Sequence, residues 1–303
     1  MILKRVNDYL DTCVISRRDR EWMARGMGRF VQADPQGLTK FQFGYGSGRG
    51  LLASGALAMN IDGNAFSCKS PEAFAGRIGL FRKTWGRHAG GQVMSAAALV
   101  ASRHPMDIYG GLEVRSGRRF IWFWLIYGGA DKQGRVQYCP VDRCALTTDI
   151  LRSAGCRMPA IWRPKAFHLA LCHDGRDIGY EVYYEGIPSG FKLGKEQRKL
   201  GSLFTGRPSY FCSGELFDAR GRVRQRRIFL YFPAGVSTGS REALRDLLLR
   251  IKRLGTLAFP VDDMAGALAR VPGELNLFGF SDNGDFAMYL DTWKGYENNC
   301  AFG

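Results

Sequence analysis

Five stretches of the chain carry the alternating apolar and polar positions of β-hairpins: residues 41–60, 108–127, 167–184, 210–232 and 276–290. Turn residues sit near the middle of four of them: Ser116-Gly117, His173-Asp174-Gly175, residues 218–221 and Asp282-Asn283-Gly284. The turn of the first is ambiguous. Glycines 46–50 would pair 41–45 with 51–59, whereas Asp62-Gly63-Asn64 would pair 51–59 with 65–69, and Asp-Gly is the stronger hairpin signal. The return strands of the last three share a pattern that ends in tyrosine: Glu181-Val182-Tyr183, Phe229-Leu230-Tyr231 and Ala287-Met288-Tyr289. The second stretch offers Trp122-Phe123-Trp124 in that place.

Side chains alternate with period two along a strand. One face of the return strands is therefore apolar: Ile178, Tyr180 and Val182, then Ile228, Leu230 and Phe232, then Phe286, Met288 and Leu290. The opposite face is mixed: Glu181 and Tyr183, then Arg227, Phe229 and Tyr231, then Ala287, Tyr289 and Asp291.

Between the hairpins the apolar spacing changes to that of helices. Residues 1–31 carry an i, i+3, i+4 stripe through Val6, Tyr9, Leu10, Cys13 and Val14, continued by Trp22, Met23 and Met27. Ser70-Pro71-Glu72 opens a helical region running to about residue 102, with serine as cap and proline in the first turn. Residues 141–154, 194–203, 240–254 and 261–268 are also predicted helices, and Gly155 and Gly255 end two of them. A short polar tail begins at Thr292.

Hairpins repeated every ~45–65 residues with helices between them predict a repeat architecture of about ten antiparallel strands. Ten strands tend to close, because closure removes exposed edges. The expected fold is α+β: a ten-stranded antiparallel β-barrel surrounded by helices, in one domain over residues 1–303 with an N-terminal helical segment at 1–33. The apolar face meets the helices, and the mixed face lines the lumen.

Composition narrows this picture. The 303 residues are 46% hydrophobic and 13% aromatic, ample for a large core. No run of eighteen apolar residues occurs, and residues 1–20 are charged throughout, so neither a membrane helix nor a signal peptide is expected and the chain is placed in the cytoplasm. The eight cysteines form no CxxC pair, which favours reduced, buried thiols over a zinc site. The four histidines, at 88, 104, 168 and 173, have no ligand spacing, and no metal is expected from them. The net charge of +15 would attract a polyanion: nucleic acid, a phosphorylated metabolite or an acidic peptide.

Taken together, these segments resemble the aromatic prenyltransferases of the α-β-β-α barrel type, and most of all the cyanobactin-type peptide prenyltransferases, which have similar length. The resemblance rests on Leu51-Leu52-Ala53-Ser54, residues 111–115, His173-Asp174-Gly175-Arg176 with 180–185, residues 227–232 and residues 278–289. It covers the whole chain by pattern rather than by a unique motif. It implies an isoprenyl diphosphate co-substrate and an acceptor that is a peptide side chain or a small aromatic, and it allows for Mg2+. Asp262-Asp263 has no third aspartate at the spacing of the magnesium motif of the all-helical prenyl synthases.

The resemblance implies roles for particular residues. Arg49, Arg115 and Arg227 would grip the diphosphate, since guanidinium forks match phosphate oxygens and stabilise the charge that develops on the leaving group. Tyr183, Tyr231 and Tyr289, with Trp124, would shield the allyl cation with their ring faces. The family usually carries an acid in its first sheet region. Residues 41–59 have none here, so Glu181 or Glu113 would serve. Two other classes compete with this reading: a nucleic-acid-binding protein that stacks bases on aromatics, and a barrel that binds a ligand without catalysis. The basic residues are spread along the chain rather than gathered in one stripe, which speaks against nucleic acid.

Overall fold

The computed structural model describes residues 2–13, 15–33, 41–48, 51–60, 107–115, 117–126, 128–130, 136–138, 142–160, 166–185, 210–253, 260–271, 273–283 and 286–291. Its strands are β1 (Phe41–Gly48), β2 (Leu51–Asn60), β3 (Asp107–Arg115), β4 (Arg118–Ile126), β5 (Gly128–Ala130), β6 (Val136–Tyr138), β7 (Ala166–His173), β8 (Ile178–Glu185), β9 (Tyr210–Asp218), β10 (Val223–Ser237), β11 (Glu274–Ser281) and β12 (Phe286–Asp291). Its described helices are α1 (Ile2–Thr12), α2 (Arg17–Ala33), α3 (Arg143–Ser153), α4 (Arg241–Arg253) and α5 (Val261–Leu268).

Ten strands hydrogen-bond in the ring order β1-β12-β11-β10-β9-β8-β7-β4-β3-β2, and β1 pairs with both β12 and β2. Every pairing is antiparallel. Strand direction therefore alternates around the ring, and all five hairpin turns emerge at one end. The longer connections, among them those that carry α3, α4 and α5, lie at the other end. The remaining two strands, β5 and β6, form a separate two-stranded sheet that the sequence pattern did not predict.

The outward strand face packs against the helices, as the alternation predicts. Tyr180, Val182, Ile228, Leu230, Phe232, Met288 and Leu290 belong to the main core with Val6, Tyr9 and Leu10 of α1 and Met23 and Met27 of α2. Leu244, Leu247, Leu248 and Ile251 of α4 lie on one helix face at i, i+3, i+4, i+7 and join the same core. Each such side chain contributes about 1.5–3 kcal/mol by leaving water. The Tyr9 hydroxyl donates to the carbonyl of Gly44, tying α1 to β1. None of the described helices is long and apolar enough to cross a membrane.

Several elements differ from the sequence expectation. The N-terminal helical segment is two helices, because Ser16 caps a new start: its hydroxyl accepts from the Asp19 N–H at 3.2 Å. Of the two turns open to the first hairpin, the structure takes the one within residues 46–50, with Gly48 opposite Leu51. The local Asp-Gly signal loses to the register that pairs β1 with both neighbours. Strand β10 runs past Phe232 to Ser237, and its register with β11 shifts between Tyr231 and Val236. Pro233 lies in that shift and has no N–H to give to the ladder. The predicted helices at 70–102 and 194–203 and the tail from Thr292 fall outside the described residues.

Helix α3 begins where Asp142 accepts from the N–H groups of Cys144 and Ala145, both at 3.0 Å. Asp142→Ala removes that cap and is expected to cost about 0.5–2 kcal/mol. Urea denaturation would show the cost as a lower midpoint at constant slope. At the turn between β9 and β10, Gly221 has φ +77°, and a Cβ there would come within 2.8 Å of the Met158 carbonyl oxygen. Only glycine fits both the conformation and the close approach.

Candidate active site

The inward strand face places a charged and aromatic set inside the ring. Glu113 and Arg115 come from β3, Trp122 and Trp124 from β4, Cys172 from β7, Glu181 and Tyr183 from β8, Arg227 and Phe229 from β10, and Tyr289 from β12. Trp122 and Cys172 cluster with Phe120, Trp124, Tyr183 and Leu216, apart from the main core. Phe229 and Cys212 cluster with Tyr183, Leu277 and Tyr289. The facing read from periodicity thus holds for Tyr183, Phe229 and Tyr289.

Glu181 is the hub. Its side chain is 0% exposed, and its Oε2 accepts from the Tyr183 hydroxyl at 2.9 Å. Arg227 Nη2 lies 3.1 Å from the same oxygen. Tyr183 in turn accepts from the Trp124 indole N–H at 3.3 Å. Register explains the convergence. Gly214 of β9 sits opposite Arg227 on one side and Tyr183 on the other. A Cβ at Gly214 would overlap the Glu181 carboxylate and approach the Phe229 ring at 3.3 Å. The missing side chain is the space in which the three groups meet.

Two buried nitrogens of Arg227, Nε and Nη2, make no hydrogen bond, although Nη2 touches Glu181 as an ion pair. The second oxygen of Glu181, Oε1, is likewise without a hydrogen bond. Burial opposes the Arg227 charge, but Glu181, Tyr183, Tyr289 and Glu113 together overcome it and hold the guanidinium above its ordinary value. Burial, aided by the Glu181 charge, pushes the Tyr183 phenol well above its usual range. Burial likewise pushes Tyr289 up to about 12 and Cys172 up to about 12. Both phenols therefore keep their protons at neutral pH, and burial disfavours the Cys172 thiolate.

A second carboxylate lies on β3, the strand beside β2: Glu113 is opposite Ala56. It accepts from the Trp122 indole N–H at 2.7 Å, and Arg115 Nε stands 3.7 Å from its other oxygen. Its side chain is 13% exposed and so borders open space, in contrast to Glu181. Trp122 and Trp124 stack with centroids 5.4 Å apart, Tyr183 leans on Phe229 at 5.7 Å, and Phe229 leans on Tyr289 at 6.3 Å. The Arg115 guanidinium lies over the Phe120 ring, 5.0 Å from its centroid.

Of the residues singled out from the sequence, the structure brings together Glu181, Tyr183, Arg227 and Trp124 by direct contact. Tyr289 meets this group through Phe229, and Glu113 with Arg115 forms a second group joined through the stacked tryptophans. Tyr231 lies on β10 opposite Tyr210 and Leu277. Its side chain and all of Arg49 lie outside the described residues. Phe229 was placed on the inward face by period two without a role, and Trp122, two residues from Trp124, could have been found the same way. Gly214 carries no such signal, since its importance depends on register with two other strands.

Among the described residues no three His, Cys, Asp or Glu side chains converge on a point. Glu113 and Glu181 each face an arginine. These residues do not fit a resident Mg2+, which prefers several oxygen ligands in near-octahedral array.

A ring of antiparallel hairpins with helices packed on its outer face is the α-β-β-α barrel fold of the aromatic prenyltransferases. No protein-family model and no curated sequence matches the chain. Among solved structures, it is similar to prenyltransferase PriB in ternary complex with L-tryptophan and dimethylallyl thiolodiphosphate, at TM-score 0.64. PriB in binary complex with product diphosphate gives 0.63. Both share 12% sequence identity, over 99% of this chain and 96% of PriB. AnaPT from Neosartorya fischeri is similar at TM-score 0.55 and 10% identity, over 99% of this chain and 93% of AnaPT.

Proposed function

We propose that this chain is a prenyltransferase that moves an isoprenyl group from an allylic diphosphate to a nucleophilic acceptor, an aromatic small molecule or a peptide side chain. One observation carries the reading: a half-buried arginine, Arg227, whose buried Nε and Nη2 make no hydrogen bond, set inside a barrel lined by aromatic rings. Buried guanidinium nitrogens without hydrogen bonds call for an anion that supplies oxygens. Nε and Nη2 lie along one edge of the guanidinium and suit two oxygens of a diphosphate. Arg115 would add a second cation, and Arg49 a third. The likeness to PriB, a protein seen with diphosphate and with L-tryptophan, supports the same reading.

In the reaction, the allylic C–O bond breaks and its electron pair leaves with the diphosphate. The allyl cation is held by the faces of Tyr183, Tyr289 and Trp124, with Tyr231 in the same role, each ring worth roughly 0.5–2 kcal/mol. These walls also keep water from the cation. The acceptor's electron pair forms the new bond, and its proton passes to Glu113, the carboxylate that borders open space. Glu181, wholly buried under Tyr183 and Arg227, holds those two groups in place.

The test is incubation with dimethylallyl or geranyl diphosphate and a panel of acceptors, tryptophan, tyrosine and short peptides containing them, followed by mass spectrometry. A mass gain of one isoprenyl unit on any acceptor is expected. No gain on any acceptor, with no protection of the fold against heat by diphosphate, would refute the proposal. Retention on single-stranded DNA that weakens steeply with salt would instead favour nucleic-acid binding through the +15 charge.

A further inference from the structure

We infer that Glu181 is a built-in competitor for the diphosphate site, a resident anion that holds Arg227 and speeds the departure of the diphosphate product. This rests on the assignment of Arg227 to diphosphate proposed above.

The geometry leads there in three steps. On β3, β8 and β10 the inward arginines Arg115 and Arg227 are each already paired with a carboxylate, Glu113 and Glu181. Glu181 reaches Arg227 through Nη2, one of the two nitrogens on the edge a diphosphate would grip. The same oxygen that faces Arg227 is steered by the Tyr183 hydroxyl, and Gly214 supplies the room for it. The carboxylate is thus fixed at the anion's position by a hydrogen bond that does not depend on Arg227. A diphosphate must share the guanidinium with Glu181 and meet its negative charge at close range, where like charges in a water-poor site repel strongly. That repulsion acts on substrate and product alike. It matters most for the product, which has lost the isoprenyl chain and its apolar contacts and is otherwise held by charge alone.

Glu181 is in these terms a positioning residue: it acts through Arg227 and does not touch the reacting atoms. The measurement is calorimetric titration of inorganic diphosphate into the wild-type protein and Glu181→Gln. Glutamine keeps an acceptor oxygen for Tyr183 and removes the charge. The Kd for diphosphate is expected to fall about tenfold in Glu181→Gln, and product inhibition to strengthen in parallel with a lower kcat. In an Arg227→Gln background, the same change at 181 should shift the Kd clearly less, because only the direct charge repulsion remains, whereas a general structural role would shift both equally. An unchanged or weaker Kd in Glu181→Gln overturns the inference, as does an equal effect in both backgrounds. Should Glu181→Gln fail to fold, Glu181→Asp withdraws the carboxylate by one methylene and must shift the Kd in the same direction. If the wild-type protein binds no diphosphate, the assignment of Arg227 itself fails. If it binds diphosphate and Glu181→Gln binds no tighter, only the competitor role fails.

Discussion

Arg227→Ala is expected to lower kcat/KM for the allylic diphosphate by on the order of 10²–10³, the size of effect seen when one preorganised donor to a developing charge is lost. Arg226→Ala, one residue away, should change it by less than about threefold. The two arginines point to opposite faces of β10. Arg227 enters the lumen and meets Glu181, while Arg226 stands on the outer face and donates to Glu215 at 3.2 Å. Arg227→Ala should also destabilise the fold by about 3–5 kcal/mol, because it leaves the fully buried Glu181 carboxylate without its counter-charge. The double variant Arg227→Ala with Glu181→Gln should regain part of that stability and none of the activity. Steady-state kinetics and urea denaturation of the three variants separate the two contributions. Equal kinetic effects at 226 and 227 would undo the facing of the strand and the assignment with it.

Glu113→Gln is expected to reduce kcat by on the order of 10²–10⁴, the range for loss of a general base, while the KM for the allylic diphosphate moves little. Glutamine can still accept from the Trp122 indole N–H, so the tryptophan wall should stay in place. Near-ultraviolet circular dichroism would confirm that the stacked pair of Trp122 and Trp124 is undisturbed. The contrast with Glu181→Gln is the sharpest check on the division between the two carboxylates. The variant at 113 should slow turnover without tightening diphosphate binding, and the variant at 181 should tighten it. A kcat for Glu113→Gln within about threefold of wild type would remove Glu113 from the proton path.

Much of the barrel is legible in the chain because strand periodicity is short and local. Tyr180, Val182, Ile228, Leu230, Met288 and Leu290 face the helices, and Glu181, Tyr183, Arg227, Phe229 and Tyr289 face inward, as alternation alone requires. Helix α5 begins and ends at the residues its pattern marks, after Pro260. Where a local preference meets a long-range constraint, the constraint decides. Asp62-Gly63 is a better isolated turn than the glycines at 46–50, yet pairing β1 with β12 as well as β2 selects the latter. Strand β10 outlasts its apolar pattern because β11 continues beside it as far as Ser237.

The sequence by itself determined the hairpins, the side of the sheet that Tyr183, Tyr289 and Arg227 take, and the absence of an acid at 41–59. Those follow from residue order and a period of two. Only the tertiary structure decided that Glu181 meets both Tyr183 and Arg227, and that Gly214 lies between them. It also decided that Glu113, on the neighbouring strand, is the carboxylate bordering open space. Each of these depends on the register between strands that are distant in the chain. Register is set by how all ten strands close together, which no single stretch encodes.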